Sequence, residues 1–202
     1  MKKILIGLTG QTGAGKSTVC EMAEALSCSV INADKVAREV MGKNSDCLKR
    51  LAEFFGSDII LPDGNCNRKL LAKRAFASRE NTDILNSITH PAIIERVREY
   101  IDIYLKESDI IIFDAPQLFE SGGDKICDKI ISVVAPFEVR LERIMSRDGI
   151  SKEDALLRMN VQYDEDFFRS KSDYIIDGSQ SIEQVKYQFK KIILSLSEVN
   201  DP

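Results

Sequence analysis

Eight consecutive residues, Gly10-Gln11-Thr12-Gly13-Ala14-Gly15-Lys16-Ser17, constrain this chain more than any other feature of it. They satisfy G-x-x-x-x-G-K-[ST], a motif that carries chemistry only between a strand and a helix. Both flanks are present: the apolar run Ile4-Leu5-Ile6-Gly7-Leu8 precedes the motif, and a helical pattern opens near Lys16. In that setting the glycines let backbone N–H groups turn inward around phosphate oxygens, and the helix N-terminus adds the positive end of its dipole. Gly13, Ala14, Gly15, Lys16, Ser17 and Thr18 are the expected nucleotide-binding residues. Lys16 is expected to reach the β- and γ-phosphates and the Ser17 hydroxyl to ligate Mg²⁺. A chance match in a chain of this length occurs on the order of once per hundred chains. The motif therefore predicts a phosphotransferase that takes ATP with Mg²⁺ and passes the γ-phosphoryl group to a small hydroxyl-bearing metabolite.

The rest of the chain supplies a matching scaffold. Short apolar runs recur at Ser29-Val30-Ile31, at Ile110-Ile111-Ile112-Phe113 before Asp114, from Lys129 to Ala135, and at Tyr174-Ile175-Ile176. Continuous β-branched runs of this kind read as buried parallel strands, and their alternation with helices implies an α/β layered fold. The stretch from about 36 to 104 has no strong strand and reads as helices broken at Gly42-Lys43-Asn44, Pro62-Asp63-Gly64 and His90-Pro91. It exceeds what one crossover needs, so it is expected to be a helical substrate-binding insert. A second charged, helical insert is expected between Glu138 and Ser172. The predicted architecture is thus one α/β domain over 1–202. A parallel-sheet, nucleotide-kinase-like P-loop core occupies about 1–35 and 105–202, interrupted by the insert and by a helical lid at about 138–172.

Composition narrows the partners. With 44% hydrophobic and 30% charged residues and a formal net charge of −4, the chain has the profile of a soluble globular protein without a strongly basic face for nucleic acid. The five cysteines are scattered and form no CxxC, which predicts reduced thiols in a cytoplasmic protein rather than a disulfide or zinc framework. Met1-Lys2-Lys3 begins like a signal peptide, but the apolar run after it stops at Thr9-Gly10, too short for export or for crossing a bilayer. A monomer or small homo-oligomer is expected.

Further candidates come from position alone. Asp34 follows the second strand, at its carboxyl end, and ligands of open α/β folds bind outside such ends; it reads equally as a general base or as the N-cap of a helix starting near Lys35. Asp114 ends the third strand, as a Walker-B-type aspartate holding Mg²⁺ through water or as a turn residue. Arg140, Arg143 and Arg147 share one helical face, with Arg158 about three turns on. They could stabilise charge on the γ-phosphate or pair with Glu138, Glu142 and Asp148 in solvent.

A series of elements runs in order through nearly the whole chain: Gly7-Leu8-Thr9-Gly10 and the P-loop, Val30-Ile31-Asn32-Ala33-Asp34 with Ala37-Arg38, Phe55-Gly56, Asp63-Gly64 with Arg68, Ile88-Thr89-His90-Pro91, Pro116 with Leu118-Phe119-Glu120, Glu142-Arg143 with Arg147-Asp148, and Ser172-Asp173-Tyr174-Ile175-Ile176-Asp177. The series closely resembles the dephospho-CoA kinases. The resemblance implies ATP-dependent phosphorylation of the ribose 3′-hydroxyl of dephospho-CoA, the last step of coenzyme A synthesis. It implies Asp34 as catalytic base, Arg143 and Arg147 as lid arginines acting in catalysis along with Lys16, Arg68, Thr89 and His90 as contacts to the acceptor, and Glu120 as a residue orienting the acceptor or Lys16. Four positions depart from the family pattern: Asn32 for Asp, Gln11 for Gly, Gln117 for Leu and Gly178 for Asn.

Three other readings compete. Another small-metabolite or nucleotide kinase of the P-loop group would share the loop. A GTP-dependent switch would need an Asn-Lys-x-Asp segment, which the chain lacks. Nucleic-acid binding fits the charge poorly.

Overall fold

The structure is a computed structural model and describes residues 3–198. β1 (Ile4–Gly10), β2 (Ser29–Asn32), β3 (Ile110–Asp114), β4 (Lys129–Val134) and β5 (Tyr174–Asp177) form one sheet in the order β2-β3-β1-β4-β5. β1 runs parallel to β3 and β4, and β4 parallel to β5. Each apolar run expected to be a strand is one. Leu5 through Gly10 are all buried, because helices cover both faces and no residue of β1 needs to be polar. Ile6, Leu8, Ile112, Ile131, Val133 and Ile176 pack with Val19 of α1 (Lys16–Ala25) and Phe189 of the last helix, Ile182–Glu198. The chain leaves β1 toward one side of the sheet and β4 toward the other, so the carboxyl end of β1 lies at a switch in strand order, where open α/β sheets bind ligands.

The chain divides into two compact units, residues 32–102 and the remainder. The smaller unit holds α2 (Ala33–Val40), α3 (Asp46–Phe55), α4 (Arg68–Ala75) and most of α5 (Arg79–Tyr104). Its own core joins Leu48, Leu51, Phe55, Ile59, Leu71 and Ile88. The expected breaks at Gly42-Lys43-Asn44 and Pro62-Asp63-Gly64 are present. The break expected at His90-Pro91 is not: α5 runs for 26 residues with Pro91 inside it. Proline removes one helical hydrogen bond and costs roughly 3 kcal/mol. Ile84, Leu85 and Ile88 before it and Ala92 after it all pack into the same core, which outweighs that cost.

Between β4 and β5 lie α6 (Phe137–Asp148), α7 (Lys152–Asn160) and α8 (Glu165–Lys171). Leu141 and Ile144 of α6 pack with Ala155 and Met159 of α7. The side chains of Ser151 and Asp164 cap α7 and α8.

Candidate active site

The phosphate loop is built by close approaches that only glycine allows. Gly10, Gly13 and Gly15 have φ of 146°, 77° and 104°. A Cβ on Gly13 would lie 2.7 Å from the Arg140 carbonyl oxygen, so α6 rests directly on the loop. The loop passes into α1 with Gly15 as N-cap and no side-chain cap; the Thr18 N–H donates to Gly15 O at 3.2 Å, which leaves the Lys16 and Ser17 N–H groups for a ligand. Ser17 is exposed at that turn.

Lys16 Nζ and Asp114 Oδ1 form an ion pair with both side chains nearly buried. The end of β3 thus meets the start of α1, and the Walker-B-type reading of Asp114 gains a position beside the loop lysine. Cys20, one turn beyond Lys16, lies on the same cluster; burial pushes its thiol up to about 12, with Asp114 next to it. Among the described residues no group of three or more His, Cys, Asp or Glu side chains could cage a metal. A hydroxyl and a carboxylate suffice for a hard cation that keeps most of its ligands as water and phosphate, so Ser17 and Asp114 fit Mg²⁺.

The arginines of α6 do not share one task. Arg140 is buried and its Nε donates to Ala135 O at 3.1 Å; burial lowers its guanidinium below the usual arginine value. Arg143 Nη1 donates to Gly178 O at 2.9 Å and to Gly13 O and Ala14 O at 3.4 Å each, so it bridges the P-loop and the turn after β5. Arg147 lies in solvent, paired with Asp148 at 2.8 and 2.9 Å, and Arg158 reaches the same carboxylate at 2.6 Å. The Arg147 guanidinium holds Asp148 below the usual carboxylate range, with Arg158 contributing. The single arginine face read from spacing is therefore three separate environments.

Two of the four departures from the family pattern, Asn32 and Gly178, have local explanations, and nothing in the structure explains Gln11 or Gln117. Asn32 caps α2, its Oδ1 accepting Lys35 N–H at 2.9 Å. Helix α2 begins at Ala33, so Asp34 is exposed in the first turn and is not the cap; the capping reading of Asp34 is corrected. Gly178 is buried, and a Cβ there would lie 1.9 Å from Ala14 O. Gln11 is buried with Oε1 unpartnered, and Gln117 is exposed.

The acceptor candidates are spread over both units. Arg68 is exposed at the start of α4. Thr89 is buried in α5 and its Oγ1 donates to Leu85 O at 2.9 Å, so its hydroxyl serves its own helix. His90 is half-buried in the interior of α5, not at a cap. In the larger unit, Glu120 is exposed in the turns after β3. The sequence does not single out Gln162, yet its Oε1 accepts the Thr12 N–H at 2.8 Å. Nothing in local spacing signals a contact between residues 150 apart.

The family model described as dephospho-CoA kinase matches residues 4–184. The dephospho-CoA kinase of Syntrophotalea carbinolica is 37% identical over 96% of this chain and 92% of its own length. That of Corynebacterium diphtheriae is 40% identical over 88% of this chain and 89% of its own. Among solved structures, dephospho-CoA kinase from Campylobacter jejuni superposes with a TM-score of 0.73 at 31% identity, covering 98% of each chain. Shikimate kinase from Acinetobacter baumannii, at 14% identity over 98% of this chain and 96% of its own and a TM-score of 0.55, shares the fold alone. The chain belongs to the dephospho-CoA kinase family.

Proposed function

We propose that the chain transfers the γ-phosphoryl group of ATP to the ribose 3′-hydroxyl of dephospho-CoA, giving coenzyme A and ADP. The observation that carries this reading is a complete phosphate loop, with Lys16 and Asp114 paired at its base, in a chain whose family model spans residues 4–184.

Phosphoryl transfer asks a protein mainly for positioning and for charge where charge develops. The free N–H groups at the start of α1 hold the donor phosphates, and the Lys16 ammonium neutralises the β- and γ-oxygens. Ser17 and Asp114 would hold Mg²⁺, which would supply further charge neutralisation. Asp34 accepts the proton of the attacking hydroxyl; the cap of its helix is supplied by Asn32, which leaves the Asp34 carboxylate for that task. Arg143 fixes the loop through its carbonyls, and Arg147, paired here with Asp148, would supply charge to the transferring group only after leaving that partner. Residues 36–104 recognise the acceptor through Arg68 and His90, while the buried Thr89 holds its own helix through Leu85 O rather than meeting the acceptor directly; Glu120 adds a contact, and residues 138–172 form the lid. Five unpaired cysteines support a reducing, cytoplasmic setting. No described helix is long and apolar enough to cross a membrane.

A coupled ADP-release assay against dephospho-CoA, nucleoside monophosphates and gluconate tests the reading. Turnover confined to dephospho-CoA is expected; preference for another acceptor by tenfold or more would replace it with the runner-up, another small-metabolite kinase.

A further inference from the structure

Gln162 takes no part in the mechanism above, yet it reaches the phosphate loop from the corner between α7 and α8. Its Oε1 accepts the Thr12 N–H at 2.8 Å. The other side of that peptide is also held, because Gln11 C=O accepts Ala14 N–H at 3.1 Å, while Gln11 N–H donates to Val133 O at 3.3 Å. The Gln11–Thr12 peptide plane is thus pinned at its oxygen and at its hydrogen. Among the described residues, the N–H groups of Gly13, Gly15, Lys16 and Ser17 take no protein acceptor. These are the groups that converge on an anion.

The corner is rigid enough to act as an anchor. Asp164 caps α8 by accepting Phe167 N–H at 2.8 Å, Tyr163 stacks on Phe167 at 3.8 Å, and Phe167 meets Phe119 edge-on at 5.2 Å. The anchor is also neutral. A carboxylate at this place would hold the same N–H but would put a negative charge beside the phosphates.

We infer that Gln162 is a positioning residue for the phosphate donor: it holds the first turn of the loop so that the N–H groups of Gly13, Gly15, Lys16 and Ser17 are presented together, which ties donor affinity to the α7–α8 corner. The inference rests on the loop being the donor site and is independent of the acceptor.

The test is calorimetric binding of a non-hydrolysable ATP analogue with Mg²⁺, without acceptor, beside hydrogen exchange of the unliganded protein. Gln162→Met keeps the bulk and loses the acceptor atom. It is expected to weaken the analogue about 5- to 30-fold, the cost of ordering about one loop residue. Faster exchange is expected only over residues 11–14. Gln162→Glu is expected to keep that protection and still weaken the analogue, with part of the loss reversed by salt. An unchanged affinity for Gln162→Met overturns the inference. So does faster exchange spread through α7 and α8, which marks a purely structural role, and so does loss of protection in Gln162→Glu.

Discussion

Lys16 at the start of α1 and Asp114 at the end of β3 form a nearly buried ion pair, so the cation aimed at the donor phosphates is held by the carboxylate assigned to the metal. The two groups are electrostatically coupled. Lys16→Met should abolish phosphoryl transfer and also leave Asp114 without its cation, costing about 1–3 kcal/mol of stability. Adding Asp114→Asn should restore part of the stability and none of the activity, a double-mutant cycle readable by urea unfolding. Transfer by Lys16→Met within threefold of the parent would remove the loop from the mechanism.

Asp34 and Asn32 separate rate from stability. Asp34→Asn should lower the single-turnover rate by about 10²- to 10⁴-fold with Tm nearly unchanged, since proton acceptance is lost and the cap remains. Asn32→Ala should cost about 1 kcal/mol through loss of the Lys35 N–H bond, with little change in rate. The reverse pattern would make Asp34 a helix residue and Asn32 the functional one.

Gly178 tests the packing of the turn after β5 on the loop. Any side chain must displace Ala14 O, only 1.9 Å from where a Cβ would sit, and with it the carbonyl that Arg143 holds. Gly178→Ala should cost roughly 1–3 kcal/mol and raise the KM for ATP. Arg143→Ala should raise the same KM by a similar factor, because both variants release the same turn. An ATP KM unchanged in both would show that the turn does not shape the donor site.

Lys129 and Asp173 join β4 to the start of β5, with Nζ to Oδ1 at 2.7 Å and Ile130 N–H donating to Oδ2 at 2.8 Å. Burial raises the Asp173 carboxyl, but Lys129 and the Ile130 N–H outweigh it and hold the group below its ordinary 3.8. The same partner holds Lys129 above its ordinary 10.5. A depressed carboxyl stabilises above pH 3.8 and loses that contribution as pH falls through its lower folded value; a raised lysine stabilises below pH 10.5 and loses it above. Asp173→Asn should therefore lower Tm by about 1–3 °C between about pH 4 and 10. The difference should shrink below pH 3.8. A difference constant down to pH 2 would assign the effect to packing.

The five strands and the loop were legible because strands buried on both faces must be continuously apolar and the loop needs glycine at set positions. What escaped was set by distant packing. Pro91 signals a helix end locally, but Ile88 and Ala92 are held by a core that α3 and α4 complete. Asp34 and Asn32 are both good caps, and a shift of two residues in the helix start decided between them. Arg140 sits at the spacing of an exposed stripe but is covered, and its guanidinium turns to Ala135 O.

The central claim is tested most directly by locating the new phosphate. The purified chain, ATP and Mg²⁺ are incubated with dephospho-CoA, and the product is examined by mass spectrometry and phosphorus NMR. One added phosphate as a monoester on the ribose 3′-oxygen, formed with one ADP per turnover, is the predicted result. No phosphorylated product, or a phosphate placed elsewhere on the acceptor, contradicts it.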